Sequence, residues 1–184
     1  AAAPTDGMSE LFSPLELRET TIPNRITVSP MCQYSCDDRD GLPAEWHRVH
    51  LGSLAVGGAG LVISEATAVE PQGRISPQDL GIWRDEHAQA LSPITDFMRE
   101  QGAVPAIQLA HAGRKASTRR PWEGHGPLSP DEGGWEVVSP SGTPWPYDGE
   151  DAPPTRRLDQ EGIEGVIESF RAAARRADEA GFEV

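Results

Sequence analysis

Three apolar runs, rich in Val, Ile and Leu, constrain the fold of this chain most strongly. They cover residues 25–31, 60–69 and 104–110. None of the runs alternates cleanly between apolar and polar side chains, which is typical of parallel strands that are covered on both faces. The runs therefore predict three buried strands of one parallel sheet.

Helical segments are predicted between and after these runs. Residues 44–56 and 88–101 form the first two, and the second stops before Gly102. The third follows Asp159, a suitable N-cap, and ends at Gly181. An apolar stripe at helical spacing supports it, made of Ile163, Val166, Ile167, Phe170, Ala174 and Ala177. Residues 182–184 then begin a fourth strand, and residues 11–24 are compatible with a small opening hairpin.

The resulting β-α-β-α-β-α-β order predicts an α/β fold with a parallel sheet. A doubly wound dinucleotide fold would place a G-x-G-x-x-G turn between a strand and the next helix. Here Gly57, Gly58 and Gly60 precede a strand instead, so the pattern favours a (β/α)₈ barrel. With 184 residues, the chain is short for such a barrel, which typically needs about 250.

The net charge of the chain argues against two classes of binding partner, nucleic acids and anionic membranes. Lys and Arg number 16 against 29 Asp and Glu, a net charge of −13. So acidic a surface repels nucleic-acid backbones and anionic membrane surfaces, and no apolar run reaches the roughly 18 residues of a membrane span. Residues 1–10 are expected to be a tag, a linker or a disordered N-terminus, and residues 11–184 the folded unit.

The two cysteines, Cys32 and Cys36, are too few for a disulfide framework. Reduced thiols in a cytoplasmic setting are therefore expected, with Cys36 as an unpaired loop thiol. His47 and His50 are three residues apart, but no third ligand is evident, so they are interpreted as packing residues and no metal is expected.

A long connection, residues 117–157, is rich in Gly, Pro, Ser, Asp and Trp. So long a connection predicts a functional lid or a partly mobile loop. Its tryptophans, Trp122, Trp135 and Trp145, are expected to pin it to the barrel rim. The alternative is that at least one of them lines a pocket for flat substrates.

Chemically useful side chains follow the predicted strands, at the ends where a (β/α)₈ barrel gathers its active site. A thiol, a phenol, an amide, an imidazole and two cations occur there beside small residues that let a flat ring approach the backbone. They are Cys32, Tyr34, Gln108, His111, Arg114 and Lys115. The pattern predicts a site for a planar, polar cofactor or substrate.

Three stretches carry a resemblance: LFSPLELRETTIPNRITVSPMCQYS at 11–35, EATAVEPQGRISPQDLGIW at 65–83 and QLAHAGRKA at 108–116. Together they resemble the Old Yellow Enzyme family, and more narrowly its bacterial group with Cys at the flavin. GRKASTRRPWEG at 113–124 and the Trp-rich loop after it are similar to the xenobiotic reductases of that group. The resemblance covers residues 11–184 and implies the N-terminal half of a (β/α)₈ TIM barrel.

The resemblance implies an FMN-dependent ene-reductase. NADPH or NADH would reduce the flavin, which would then reduce the activated C=C bond of an α,β-unsaturated carbonyl compound. The residues implied along the flavin are Ser29, Pro30, Met31, Cys32, Ala66 and Gln108. An amide such as that of Gln108 suits the pyrimidine edge because it offers both a donor and an acceptor.

Two further roles follow from the same resemblance. Cys32 would tune the redox potential of the flavin as a soft, weak donor, and Tyr34 would face the substrate. His111, Arg114 and Lys115 are assigned to the substrate or nicotinamide side. For these three, bracing of the loop, in part by ion pairs, is an equal alternative.

In the family, the carbonyl clamp, the proton-donating Tyr and the FMN phosphate loops follow the part that this sequence matches. A second polypeptide with the C-terminal half barrel is therefore expected as partner, and the assembled enzyme could form a homo-oligomer. Two alternatives stay open. One is an inactive or purely structural half of a split barrel, and the other is a flavoprotein similar to dienoyl-CoA reductases.

Overall fold

The computed structural model describes residues 9–124, 126–149 and 151–184. The expectation of a tag or linker falls mostly on residues 1–8, which lie outside these ranges. Ser9 already belongs to the folded part, because its side chain caps a short 3₁₀ turn at Glu10–Phe12. None of the helices in the described ranges is long and apolar enough to cross a membrane.

The opening hairpin is confirmed. Strands β1 (Leu15–Leu17) and β2 (Thr20–Ile22) pair in antiparallel fashion. Ile22 at the end of β2 is buried and packs with Leu61, Val104 and Ala106 on one face of the main sheet. The hairpin thus covers part of that face.

The main sheet is parallel, as predicted, and its strands follow chain order. It consists of β3 (Thr27–Val28), β4 (Leu61–Ala68) and β5 (Val104–Ala110). The predicted bounds hold for β5, but the prediction of a strand over 25–31 was wrong in length. Pro30 has no N–H to donate to a ladder, and the chain leaves the sheet before it.

Helices α1 (Glu45–Val56) and α2 (Asp85–Glu100) begin in the same way. The third residue of each is a buried histidine whose Nδ1 accepts a backbone N–H from the residue before the helix. The Ala44 N–H donates to His47 Nδ1 at 2.9 Å, and the Arg84 N–H donates to His87 Nδ1 at 3.0 Å. Because this cap involves Arg84, α2 starts three residues before the predicted Ala88.

Helix α3 (Gln160–Glu179) is capped by Asp159, which accepts the Gly162 N–H at 2.8 Å. It stops at Gly181, whose φ of +87° suits glycine. Only the second half of the predicted apolar stripe is buried, and there Ala173 replaces the predicted Ala174. Ile163 and Ile167 are 41% and 52% exposed. The first half of α3 therefore projects beyond the core in which its second half is buried.

Residues 182–184 lie beside β5, where a fourth strand was predicted. Glu183 N–H donates to Pro105 O, and Ile107 N–H donates to Val184 O, at 2.9 and 3.0 Å. These residues run alongside β5 without being assigned as a strand. Helices α1, α2 and α3 share one large apolar core with the outer face of the sheet. This is the arrangement of successive βα units in a (β/α)₈ barrel.

The long connection is more ordered than predicted. Strands β6 (Val137–Ser139) and β7 (Thr155–Arg157) form a short parallel ladder within it. Two 3₁₀ turns, Pro121–Glu123 and Pro130–Glu132, shape the chain before β6. The connection therefore forms a structured cap next to the carboxyl ends of the main strands.

Candidate active site

Four of the predicted site residues meet at the carboxyl ends of β3, β4 and β5. Ala66 in β4 is the ladder partner of Gln108 in β5. The Cys32 thiol lies beside the Ala66 backbone N–H and the Tyr34 hydroxyl, and both act to lower its pKa. The loop after β3 is thereby tied to the β4–β5 pair.

These residues form an open floor. The Gln108 side chain is exposed and Ala66 is half-buried, so an amide lies next to a methyl group. Met31 is 49% exposed, and Ser29 and Pro30 lie on the same segment, just after β3. The floor offers a small residue for close approach together with an amide that can donate and accept.

Below the floor lies a buried carboxylate. The β4–β5 register shifts between Ser64 and Ala66, which leaves Glu65 as an extra residue of β4. Its side chain is only 4% exposed. Glu65 Oε2 accepts the Gln33 backbone N–H at 2.8 Å, and Glu65 Oε1 lies 3.2 Å from His47 Nε2.

Sequence reasoning assigned no role to Glu65 and interpreted His47 as packing. The signal that could have identified Glu65 is a carboxylate inside an otherwise apolar strand, because such residues are almost never fully buried without a partner. His50 instead stacks on Trp46, with ring centroids 5.8 Å apart. Within the described ranges, no cluster of three or more His, Cys, Asp or Glu residues could hold a metal ion.

Tyr34 adopts a left-handed backbone conformation, with φ of +51°. For a residue with a side chain this costs roughly 1–2 kcal/mol, so the surrounding contacts must hold it. Its ring meets Trp122 edge to face, with centroids 5.8 Å apart. Burial raises the pKa of the Tyr34 phenol, with the neighbouring Cys32 as the next cause, so the hydroxyl is a hydrogen-bond donor near neutral pH.

A cleft of about 320 Å³ opens beside Tyr34. Its walls include Ile75, Lys115, Thr118, Trp145 and Tyr147. Lys115 Nζ lies 4.0 Å above the Trp145 ring, and the Arg114 guanidinium lies 5.2 Å from the same ring. Both cations therefore brace the long connection through a ring contact, and Lys115 also reaches the cleft.

His111 lies to one side of the floor. Its Nδ1 accepts the Gly113 N–H at 2.9 Å, so Nε2 carries the proton that faces Glu70 Oε1 at 2.7 Å. The His111 hydrogen bond is the main reason that the pKa of Glu70 is lowered. This geometry supports the bracing alternative for His111.

The three tryptophans of the connection differ in their surroundings. Trp135 is pinned as expected, because its Nε1 donates to Gln72 O at 3.0 Å and its ring lies 5.2 Å from the Arg74 guanidinium. Trp145 lines the cleft, whereas Trp122 contacts Tyr34 and is 64% exposed. The alternative of a pocket-lining tryptophan thus fits Trp145.

Two more ionisable groups are buried near the floor. Asp79 is 3% exposed and accepts the N–H groups of Ile75 and Ser76 at 2.5 and 3.2 Å. Burial nevertheless raises the pKa of Asp79 to about 7. Cys36 is a free thiol outside the helices and strands, as expected, and it is buried in the main core. This burial raises its pKa.

Comparison with curated proteins and solved structures gives the relatives of the chain. It is 43% identical over 174 residues to an NADPH dehydrogenase of Geobacillus thermodenitrificans, covering 95% of this chain and 46% of that protein. An NADPH dehydrogenase of Bacillus subtilis is 42% identical over 175 residues, with the same shares covered. The chain thus spans about half the length of the curated relatives that it matches.

Solved structures agree. Morphinone reductase superposes with a TM-score of 0.77 at 28% identity, over 97% of this chain and 48% of that one. The old yellow enzyme homologue of Zymomonas mobilis gives a TM-score of 0.76 at 29% identity, over 95% and 46%. The fold is therefore the N-terminal half of a (β/α)₈ barrel, as predicted. The family model described as NADH:flavin oxidoreductase / NADH oxidase matches residues 10–184, and the chain belongs to that family.

Proposed function

We propose that this chain is the flavin-bed half of an FMN-dependent, NAD(P)H-using ene-reductase that reduces activated C=C bonds of α,β-unsaturated carbonyl compounds. The observation that carries the proposal is the convergence of Cys32, Tyr34, Ala66 and Gln108 on one floor at the strand ends. Relatives named NADPH dehydrogenase support NADPH as the reductant. A morphinone reductase was solved with tetrahydroNAD, so NADH stays in the proposal.

The floor fits the isoalloxazine ring of FMN. Ala66 leaves room for a flat ring, and the exposed amide of Gln108 can pair with both a donor and an acceptor on the ring edge. The residues proposed to hold FMN are Ser29, Pro30, Met31, Cys32, Ala66 and Gln108. When bound, FMN would supply hydride transfer, which protein side chains cannot perform.

The side chains around the floor have separate proposed tasks. Cys32 presents a neutral thiol, because burial is the largest of the causes that raise its pKa. The Tyr34 ring, held against Trp122, forms a wall where a substrate would lie. Lys115 brings a positive charge to the cleft, which suits the carbonyl oxygen of an enone or a phosphate of NAD(P)H. His111 and Arg114 support the loop that carries Lys115.

The proposed partner is the C-terminal half barrel, as a second polypeptide or as the rest of a longer chain. The apolar side chains that would meet it lie on the outer helices. Val49 and Val56 in α1 are 53% and 62% exposed, and Ile163 and Ile167 in α3 are 41% and 52% exposed. In a closed barrel each flank would pack on a neighbouring helix. The unpaired thiols fit a reducing, cytoplasmic setting as part of this proposal.

Native mass spectrometry of the purified protein tests the proposal. The expected species contains this chain, the second half barrel and one FMN. Under anaerobic conditions NADPH should bleach the flavin absorbance, and cyclohex-2-enone should restore it. A protein without FMN, or a reduced flavin that the enone leaves unchanged, would contradict the proposal. The chain alone without flavin would instead identify a structural half barrel.

A further inference from the structure

The Gln33 backbone connects the buried carboxylate of Glu65 to the floor. Gln33 lies between Cys32 and Tyr34, and its N–H donates to Glu65 Oε2 at 2.8 Å. The Gln33 side chain is held as well, since its Nε2 donates to Met31 O at 2.7 Å and its Oε1 accepts from Trp46 Nε1 at 3.0 Å. The turn that carries the thiol and the phenol is therefore fixed from two elements, β4 and α1.

His47 lies next to the other oxygen of Glu65. Its Nδ1 accepts the Ala44 backbone N–H, so the ring proton is on Nε2, which lies 3.2 Å from Glu65 Oε1 in an orientation too bent for a hydrogen bond. Both side chains are deeply buried, with His47 at 1% and Glu65 at 4% exposure.

The hydrogen bond from the Gln33 N–H to Glu65 acts on the turn that carries Cys32 and Tyr34. Tyr34 holds its left-handed conformation directly after Gln33, and such a conformation persists only where neighbouring contacts impose it. We propose that Glu65 is a positioning residue of the flavin floor: it fixes the Cys32–Tyr34 turn through the Gln33 N–H, and its carboxylate acts on the thiol that this turn carries. The assignment rests on the proposed function only for its effect on the flavin.

The charges around Cys32 agree with the assignment. Burial is the largest cause that raises the pKa of the thiol, followed by the carboxylates of Asp79 and Glu65. The Ala66 N–H and the Tyr34 hydroxyl act in the opposite direction. Any test of Glu65 must therefore keep the charge of Asp79 constant. Above about pH 8 it is ionised with or without a change at Glu65, because its own pKa is about 7.

The test separates charge from hydrogen bond. Glu65→Gln keeps an oxygen that can accept the Gln33 N–H but removes the charge. Both it and the parent protein carry Cys36→Ala, so that Cys32 is the one thiol. In the flavin-free protein, iodoacetamide alkylation is followed against pH above about pH 8. We expect the midpoint of Glu65→Gln to move to lower pH and the rate at the lower end of this range to rise severalfold.

Glu70→Gln is the matched control, because Glu70 also faces a histidine but at the side of the floor. Its alkylation profile should follow that of the parent. An unchanged profile in Glu65→Gln, or an equal shift in Glu70→Gln, would overturn the role of the charge. In the FMN-loaded protein, Glu65→Gln should also make the flavin potential more positive. Failure to load FMN would count against the proposed function and leave the alkylation result standing.

Hydrogen exchange tests the positioning role without any change at Glu65. The Gln33 amide should exchange more slowly than the amides of exposed Asp37 and Asp38 if its bond to Glu65 persists in solution. Exchange as fast as at those two positions would show that Glu65 does not hold the turn, and the inference would fall even if the Glu65→Gln protein did not fold.

Discussion

Ala66 and Gln108 are direct ladder partners on adjacent parallel strands, at the step where the β4–β5 register shifts. The shift skips Glu65, so the two strands present a methyl group beside an exposed amide while the carboxylate is buried below. A bulge at a strand end commonly redirects a side chain next to an active site. Here the bulge leaves the Gln108 amide exposed on the floor and the Glu65 carboxylate buried below it.

Substitution of Gln108 tests the polar edge. Gln108→Ala removes a donor and an acceptor, each with a net value of about 0.5–1.5 kcal/mol. We expect the Kd for FMN to rise roughly tenfold or more, measured by quenching of flavin fluorescence on titration with the FMN-free protein. Gln89→Ala, at an exposed position of α2, is the control. Equal affinities in both variants would remove Gln108 from the FMN site.

Substitution of Cys32 should change the flavin without releasing it. The thiol supplies a weak donor at the floor, whereas the contacts that hold the ring are spread over several residues. Cys32→Ala should therefore shift the flavin potential and alter turnover while FMN stays bound. Potentiometric titration and steady-state rates measure this. A variant with the parent potential and the parent rate would show that the assignment is wrong.

Tyr34→Phe should separate the two half-reactions. The change keeps the ring that meets Trp122 but deletes the hydroxyl that lies beside the Cys32 thiol. We expect the apparent affinity for enones to fall while anaerobic flavin reduction by NADPH stays close to that of the parent, as stopped-flow absorbance would show. A loss confined to the flavin-reduction step would place Tyr34 on the nicotinamide side instead.

The sequence predicts the element order of this fold well because the periodic features are local. The β5 bounds, the Asp159 cap and the opening hairpin follow from patterns within a few residues. A site for a planar ligand at the strand ends was predicted from the residues there, but the flavin roles came only from the resemblance, since Cys32, Ala66 and Gln108 are far apart in the chain and meet through sheet register. Register depends on partners that a single sequence does not reveal.

The errors in the sequence predictions have a common cause. Strand β3 is shorter than the apolar run 25–31 that predicted it. A strand requires hydrogen-bonded pairing with a neighbouring strand, and an apolar run alone does not guarantee that pairing. Glu65 and Asp79 received no role, and His47 was interpreted as a packing residue, because a single sequence does not show which polar side chains become buried. Ala174 was assigned to the buried stripe of α3, yet Ala173 faces the core. Both residues lie between Phe170 and Ala177 at helical spacing, so periodicity alone does not decide which of them is buried.

Asp79 should give stability an unusual pH dependence. Its pKa of about 7 in the folded protein exceeds the ordinary value of about 4 in an unfolded chain. Below about pH 4 both states are protonated, and between about pH 4 and 7 the unfolded state loses its proton first. Asp79 therefore stabilises the fold less as pH rises, by an amount on the order of a few kcal/mol across this window.

Asp79→Asn should flatten that fall. The neutral amide cannot accept two N–H groups as a carboxylate does, so the variant is less stable in absolute terms, and the slope with pH is the informative quantity. Thermal unfolding at several pH values between about 4 and 8 measures it. Asp178→Asn, exposed at the end of α3, should keep the parent slope. Parallel curves for the parent and Asp79→Asn would refute the raised pKa.

Arg74 should hold the long connection to the barrel rim. Its guanidinium donates to Pro71 O, Arg39 O and Pro77 O at 2.8–2.9 Å and lies 5.2 Å from the Trp135 ring. A lysine cannot reproduce the planar stacking or this set of bonds, so Arg74→Lys should cost about 1–3 kcal/mol. Residues 117–157 should then become more sensitive to limited proteolysis, whereas Arg175→Lys on exposed α3 should not change it. Equal cleavage rates in the two variants would mean that other contacts hold the connection.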